Sequence, residues 1–177
     1  MCKPLATLLV VAFAASSISA RAQVLSQPYY FDCDVPAGHS SEWNGTLSSE
    51  TVEVAGFVQL IESRQDARWL PVASVFLVGP GETLRVGLQV VVSRDAPTEL
   101  QVVVLGLEGA DKRTVITSRS SDAGPLAFTM SLAKSGELKI VAAGASHTVE
   151  LGRFKAAKLA LSCSTGQFTF TSILVTR

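Results

Sequence analysis

The sequence predicts an all-β fold: a two-sheet antiparallel β-sandwich, jelly-roll-like, with about eleven strands. Three observations lead there. Apolar and polar residues alternate with period two along most of the chain. Turn-forming residues interrupt that alternation at short, even intervals, as in sandwiches and barrels. No ten-residue stretch after Gln23 carries a helical stripe; the best helical candidate, Glu62 to Arg68, is short.

Residues 1–22 read as a secretory signal peptide. Lys3 supplies the positive start, Leu5 to Ala15 form an apolar run, and Ala20-Arg21-Ala22 gives an A-x-A cleavage site before Gln23. The run is too short to span a bilayer, which takes about twenty residues. Cys2 precedes the run, so it is not placed as a lipoprotein cysteine. The expected mature chain is one β-sandwich domain over 23–177, secreted or periplasmic, with no membrane span once the signal is removed.

The strands are expected in this order. Phe31 to Val35 comes first, followed by the longest polar segment, Pro36 to Ser49, read as a connection. Val52 to Leu60 alternates cleanly, with Val52, Val54, Val58 and Leu60 on one face. Val72–Val78 and Leu84–Val92 follow, flanking Gly79-Pro80-Gly81. Leu100–Leu107 is apolar on both faces, as a central strand covered on both sides would be. Thr114–Ser118, Leu126–Ser131, Leu138–Ala142 and His147–Leu151 come next, then Lys158–Cys163 and Gln167–Val175, separated by Ser164-Thr165-Gly166. No period of 20–50 residues repeats, which argues against a propeller or solenoid. Tandem immunoglobulin-like domains would need a linker near the middle, and none is evident.

Composition sets the function classes aside one by one. The 177 residues are 47% hydrophobic, enough for a core, with fifteen basic residues against fifteen acidic. Lys3 and Arg21 leave with the signal, so thirteen basic residues then face fifteen acidic ones, a formal charge of −2. A nucleic-acid binder needs a strong positive excess, so no nucleic acid is expected as partner.

Two cysteines remain after the signal, Cys33 and Cys163. In an exported chain they favour a disulfide, and both share the inward parity of their strands. Two buried free thiols are the alternative. A redox centre is disfavoured because no C-x-x-C occurs.

Mature length, strand number, the terminal strands around Cys33 and Cys163, and the closing strand Gln167-Phe168-Thr169-Phe170-Thr171-Ser172-Ile173 together resemble the concanavalin A-like and laminin-G-like sandwiches. The resemblance covers most of the mature chain and carries no specific motif. It implies two packed antiparallel sheets, with glycan or protein ligands held by a sheet face or the rim loops. It transfers no binding residue, and the E-x-D-x-x-E strand motif of concanavalin-like glycanases is absent.

The search for chemistry gives no catalytic set. Gly144-Ala145-Ser146-His147-Thr148 lacks the last glycine of a nucleophile elbow and lies between strands. His147 has inward parity and reads as structural. His39 has Asp32, Asp34 and several serines near it, company that abundant serine supplies by chance. Glu50/Glu53 and Glu62/Asp66 read as solvated strand ends. Two distant histidines offer no zinc pair, and the outward carboxylates of Asp32 and Asp34 read as solvated groups that keep the strand soluble before they read as calcium ligands, so neither metal nor cofactor is expected.

Surface recognition remains. Glu62 to Pro71 joins two strong strands and sets Arg64, Asp66 and Arg68 beside Trp69. An indole stacks on a sugar ring or cation, and guanidinium groups hold carboxylates bidentately. The plainer alternative makes Trp69 a core plug and the charges a solvated cluster. Trp43, in the polar segment, is the second aromatic candidate, beside the sequon Asn44-Gly45-Thr46. The expected function is a non-catalytic binding module for a glycan or envelope component, with carbohydrate or an envelope protein as partner. A structural or protein-interaction domain and a secreted glycan hydrolase are the alternatives.

Overall fold

Valine, leucine and phenylalanine at alternate positions cannot be buried by one strand alone, so the strands pair and their apolar faces meet. The computed structural model describes residues 28–177 except 83 and 107–112. The leader assigned to 1–22 and the turn at Gly109-Ala110-Asp111 lie outside the described residues. Ten strands form among the described residues: β1 (Tyr29–Ser49), β2 (Val52–Ser63), β3 (Val72–Val78), β4 (Arg85–Val92), β5 (Glu99–Leu105), β6 (Arg113–Ser120), β7 (Leu126–Leu132), β8 (Glu137–Ala142), β9 (Ala145–Glu150) and β10 (Ala156–Thr176).

All pairings are antiparallel, and they follow the path β6-β5-β4-β3-β10-β2-β7-β8-β9, with β1 along the other side of β10. The long strand β10 explains how this path folds over. Its first half, through Ser164, pairs with β3, and its second half, from Gly166, pairs with β2. Strand β1 accompanies both halves, and its register breaks between Val35 and Ser40, opposite the break in β10. The ladder therefore has two arms, β6-β5-β4-β3 and β2-β7-β8-β9, hinged on a bent β1–β10 pair. Their far strands, β6 and β9, approach each other, so the sheet is nearly closed.

The bend has a local cause. Thr165 adopts φ 54° and Gly38 φ 73°, left-handed values that turn an extended chain sharply. The Gly38 N–H donates to Thr165 Oγ1 at 3.3 Å, tying the two creases together. Thr165 is wholly buried, so that hydrogen bond also satisfies its hydroxyl.

Inward residues of both arms form one core that includes Val54, Leu77, Leu88, Met130, Ile140, Leu161, Phe168 and Phe170. Cys33 and Cys163 are buried in it and form a disulfide across 130 residues of chain. Cys33 lies on the second-arm side of the crease and Cys163 on the first-arm side, so the bond staples the bend.

Two sequence expectations change. Lys158–Cys163 and Gln167–Val175 are one strand, because Ser164-Thr165-Gly166 bends the chain without breaking its ladder. Pro36 to Ser49 is not a connection but the second part of β1: its exposed polar side chains alternate with Trp43 and Leu47, which pack inward.

Candidate functional site

In the first arm β3, β4 and β5 are largely apolar on both faces, and their outer face carries the site. On β3, Ala73, Val75 and Leu77 face the core, while Val72, Ser74, Phe76 and Val78 face outward. Phe76, Val78 and Ala160 make a second small cluster with Leu105. Beside it opens a groove of about 650 Å³, within the roughly 300–1,000 Å³ usual for ligand sites.

A polar stripe crosses the groove floor in strand register. Glu42 of β1 stands opposite Ser162 of β10, Ser162 opposite Ser74 of β3, and Ser74 opposite Gln89 of β4. The Gln89 amide donates to Ser74 Oγ at 3.1 Å. Phe76, Val72 and Val91 flank the stripe, and Arg113 of β6 lines the groove as well.

The wall is the segment between β2 and β3, fixed at both ends. Arg64 donates to Asp34 Oδ1 and to the Val35 carbonyl, both at 2.6 Å, and to Glu62 Oε2 at 2.7 Å. The carboxylates of Glu62 and Asp34 raise the Arg64 pKa, so the clamp stays charged. Ser164 Oγ donates to the Leu70 carbonyl at 3.0 Å, anchoring the other end to the crease. Between them, Asp66 Oδ1 accepts the N–H groups of Arg68 at 2.8 Å and Trp69 at 2.9 Å, a side-chain-capped turn. Those two bonds hold the Asp66 carboxyl below its ordinary pKa. The turn presents Arg68 and Trp69 to the groove, with Trp69 still 42% exposed.

The five sequence candidates thus separate. Arg68 and Trp69 line the groove. Arg64 and Asp66 are not lining residues and shape the wall instead, Arg64 through Asp34, Val35 and Glu62, and Asp66 through the turn its Oδ1 caps. Trp43 faces the opposite side of β1, half-buried against the core with its ring 5.0 Å from that of Tyr29. It joins no groove with Trp69, since strand alternation puts its neighbour Glu42 on the groove side.

The groove residues that sequence reasoning missed are Ser74, Gln89, Ser162, Glu42 and Arg113. A signal for three of them existed: Ser74, Gln89 and Ser162 are outward polar residues in strands otherwise largely apolar on both faces. Such a substitution is costly unless that face meets solvent or a ligand.

At the β1–β4 end, Glu42 and Arg85 pair bidentately, at 2.5 and 3.3 Å. Lys158 pairs with Glu82 nearby. The hydrogen bond from Arg85 is the main reason the Glu42 pKa is lowered. A depressed carboxylate stabilises the fold above its unfolded pKa, about 4.3 for glutamate, and that contribution is lost as pH falls through the folded value. Glu42→Gln is therefore expected to flatten the acid limb of a stability–pH curve. An unchanged limb in urea titrations from pH 6 to 3 would count against the pair.

Among the described residues no three of His, Cys, Asp or Glu cluster in a way that could hold a metal. His147 is half-buried on β9 with inward parity, and Ser146 beside it is exposed, so the two point apart. No helix among the described residues is long and apolar enough to cross a membrane.

No protein-family model matches the chain, and no curated protein does. Among solved structures, an alginate lyase from Pseudomonas aeruginosa superposes with a TM-score of 0.57 at 14% identity, over 76% of this chain and 72% of that one. The carbohydrate-binding module CBM66 from Bacillus subtilis gives 0.51 at 7% identity, over 85% of this chain and 92% of that one. A Bacillus licheniformis β-glucanase gives 0.52 at 10%, over 83% and 77%. Identities this low speak for the fold alone. The shared architecture is an antiparallel β-sandwich of jelly-roll type.

Proposed function

We propose that this chain is a non-catalytic carbohydrate-binding module, one domain that works outside the cytoplasm. The observation that carries the reading is the groove itself: an exposed indole on a fixed wall above a floor of hydroxyl and amide groups. Sugar rings present an apolar face and a rim of hydroxyls, and the groove offers a partner to each. The similarity of fold to a binding module, of which it covers 92%, supports the same reading.

Binding is favoured over cleavage by the state of the groove's carboxylate. Glycoside hydrolysis commonly sets two carboxyl groups about 5–9.5 Å apart across the bond to be cut. Among the described lining residues the carboxylate is Glu42, and both its oxygens are engaged by Arg85. A proton donor would have to be neutral, and the arginine opposes that.

Calorimetry against a panel of soluble polysaccharides tests the reading, alongside an assay for released chain ends. The expected result is binding without release. Trp69→Ala should weaken that binding by about 2 kcal/mol, roughly 30-fold, as loss of an aromatic anchor does. Its thermal midpoint should barely move, because the ring is largely outside the core. Binding that survives the substitution, or chain ends that accumulate, would overturn the proposal.

A further inference from the structure

The groove is electrically uneven along its length. At the β1–β4 end the one lining carboxylate among the described residues, Glu42, is held by Arg85, Glu82 meets Lys158 nearby, and Arg113 lines the groove from β6. At the wall end, Arg68 makes no ion pair among the described residues, although Asp66 is two residues away. Asp66 Oδ1 accepts the backbone N–H groups of Arg68 and Trp69 rather than the guanidinium. A guanidinium thus stands exposed in the groove, adjacent in sequence to the exposed indole of Trp69.

Neutral sugars do not call for this arrangement. Their hydroxyls are served by neutral donors and acceptors, which the floor already supplies through Ser74, Gln89 and Ser162. A planar guanidinium matches a carboxylate, making two parallel N–H···O bonds stronger than those to a hydroxyl. In a uronic acid the carboxylate projects from the rim of the pyranose ring. A ring lying on Trp69 would therefore send its carboxylate sideways, toward a neighbouring cation.

We propose that the groove takes an acidic polysaccharide, seating a uronate ring on Trp69 with its carboxylate on Arg68, while flanking sugars rest on the neutral floor. This inference rests on the carbohydrate-binding reading and narrows it to one chemical class. It also assigns a direction: the uronate ring sits at the wall end, where Arg68 neighbours the one indole of the groove, not against the Glu42–Arg85 ion pair.

The test uses the purified protein, polygalacturonate, and the same polymer with its carboxyl groups reduced to alcohols. The expected preference for the acid form is about 10- to 100-fold at low ionic strength, shrinking as salt screens the exposed pair. Arg68→Gln should erase the preference while the reduced polymer binds as before. Trp69→Ala should weaken both. Arg153→Gln, which removes an exposed arginine from the turn between β9 and β10, outside the groove lining, should change neither.

Equal affinity for the two polymers, both lost in Trp69→Ala, would overturn the acidic inference and leave the carbohydrate site standing. Acid binding that falls as much in Arg153→Gln as in Arg68→Gln would overturn it too, as diffuse charge attraction. If neither polymer nor any neutral glycan binds, the carbohydrate reading itself fails.

Discussion

Removing the Cys33–Cys163 bond is expected to lower folding stability by about 4–5 kcal/mol, the value the chain-entropy account gives for a loop of roughly 130 residues. Domains of this kind carry about 5–15 kcal/mol in all, so the loss is a large share of the total. The residues that the bond joins lie on either side of the crease, and without it the bend depends on Thr165, Gly38 and packing. Urea unfolding of the parent and of Cys33→Ala/Cys163→Ala measures the effect. The double variant should unfold at lower urea and with a steeper slope, because an unfolded chain freed of its cross-link exposes more surface. Reductant should shift the parent toward the variant and leave the variant alone. Coincident curves for the two proteins would show that the thiols contribute nothing as a bond.

Phe168→Ala is expected to cost about 3–5 kcal/mol, the range for a large aromatic removed from a packed core. Phe168 is fully buried near the middle of β10, opposite Cys33 on one side and Leu60 on the other. Strands on both its flanks are pinned, so little can collapse into the space it leaves. Phe57 of β2 makes the matched control. It is 41% exposed on the outer face of the second arm, and Phe57→Ala should stay within about 0.5 kcal/mol of the parent. Similar losses at the two positions would contradict the inward–outward alternation that builds both arms.

The fold was largely legible because strand alternation is a local signal and this chain keeps it. Val52, Val54 and Val58 point inward as their spacing says, and the shared parity of Cys33 and Cys163 is that of two buried, bonded residues. What misled was the meaning of a turn signal. Ser164-Thr165-Gly166 has the composition of a loop between strands, yet its neighbours on β1, β2 and β3 keep it in one ladder. Pro36-Ala37-Gly38 reads the same way for the same reason. Whether such a tripeptide reverses the chain or only bends it depends on the strands alongside, and those come from distant parts of the sequence.

The site was legible only in part, and the limit is again a matter of register. The Arg68-Trp69 pair could be picked from composition, since both are exposed types in one short segment. Nothing local distinguishes Arg64, which shapes the wall, from Arg68, which lines the groove; the difference is Asp34 and the Val35 carbonyl, thirty residues earlier. The stripe from Glu42 through Ser162 and Ser74 to Gln89 exists only once four strands from across the chain are aligned. Trp43 and Glu42 show the converse: adjacent residues on a strand serve opposite faces.

The pairing of β1 with β10 bears on when the molecule can assemble. The runs β3 to β6 and β7 to β9 are meanders whose partners follow within a few residues, so they can form as soon as they are made. Strand β1 has to wait for β10, more than a hundred residues later, since Tyr29 meets Ile173 and Ser49 meets Ala156. Both arms, the crease and the disulfide depend on that late arrival. Contacts so distant in sequence make folding slow and leave apolar strands uncovered meanwhile. During synthesis the emerging polypeptide is therefore two separate meanders with an open seam between them. It remains open until β10 emerges, and that strand, arriving after the other nine described, closes the molecule.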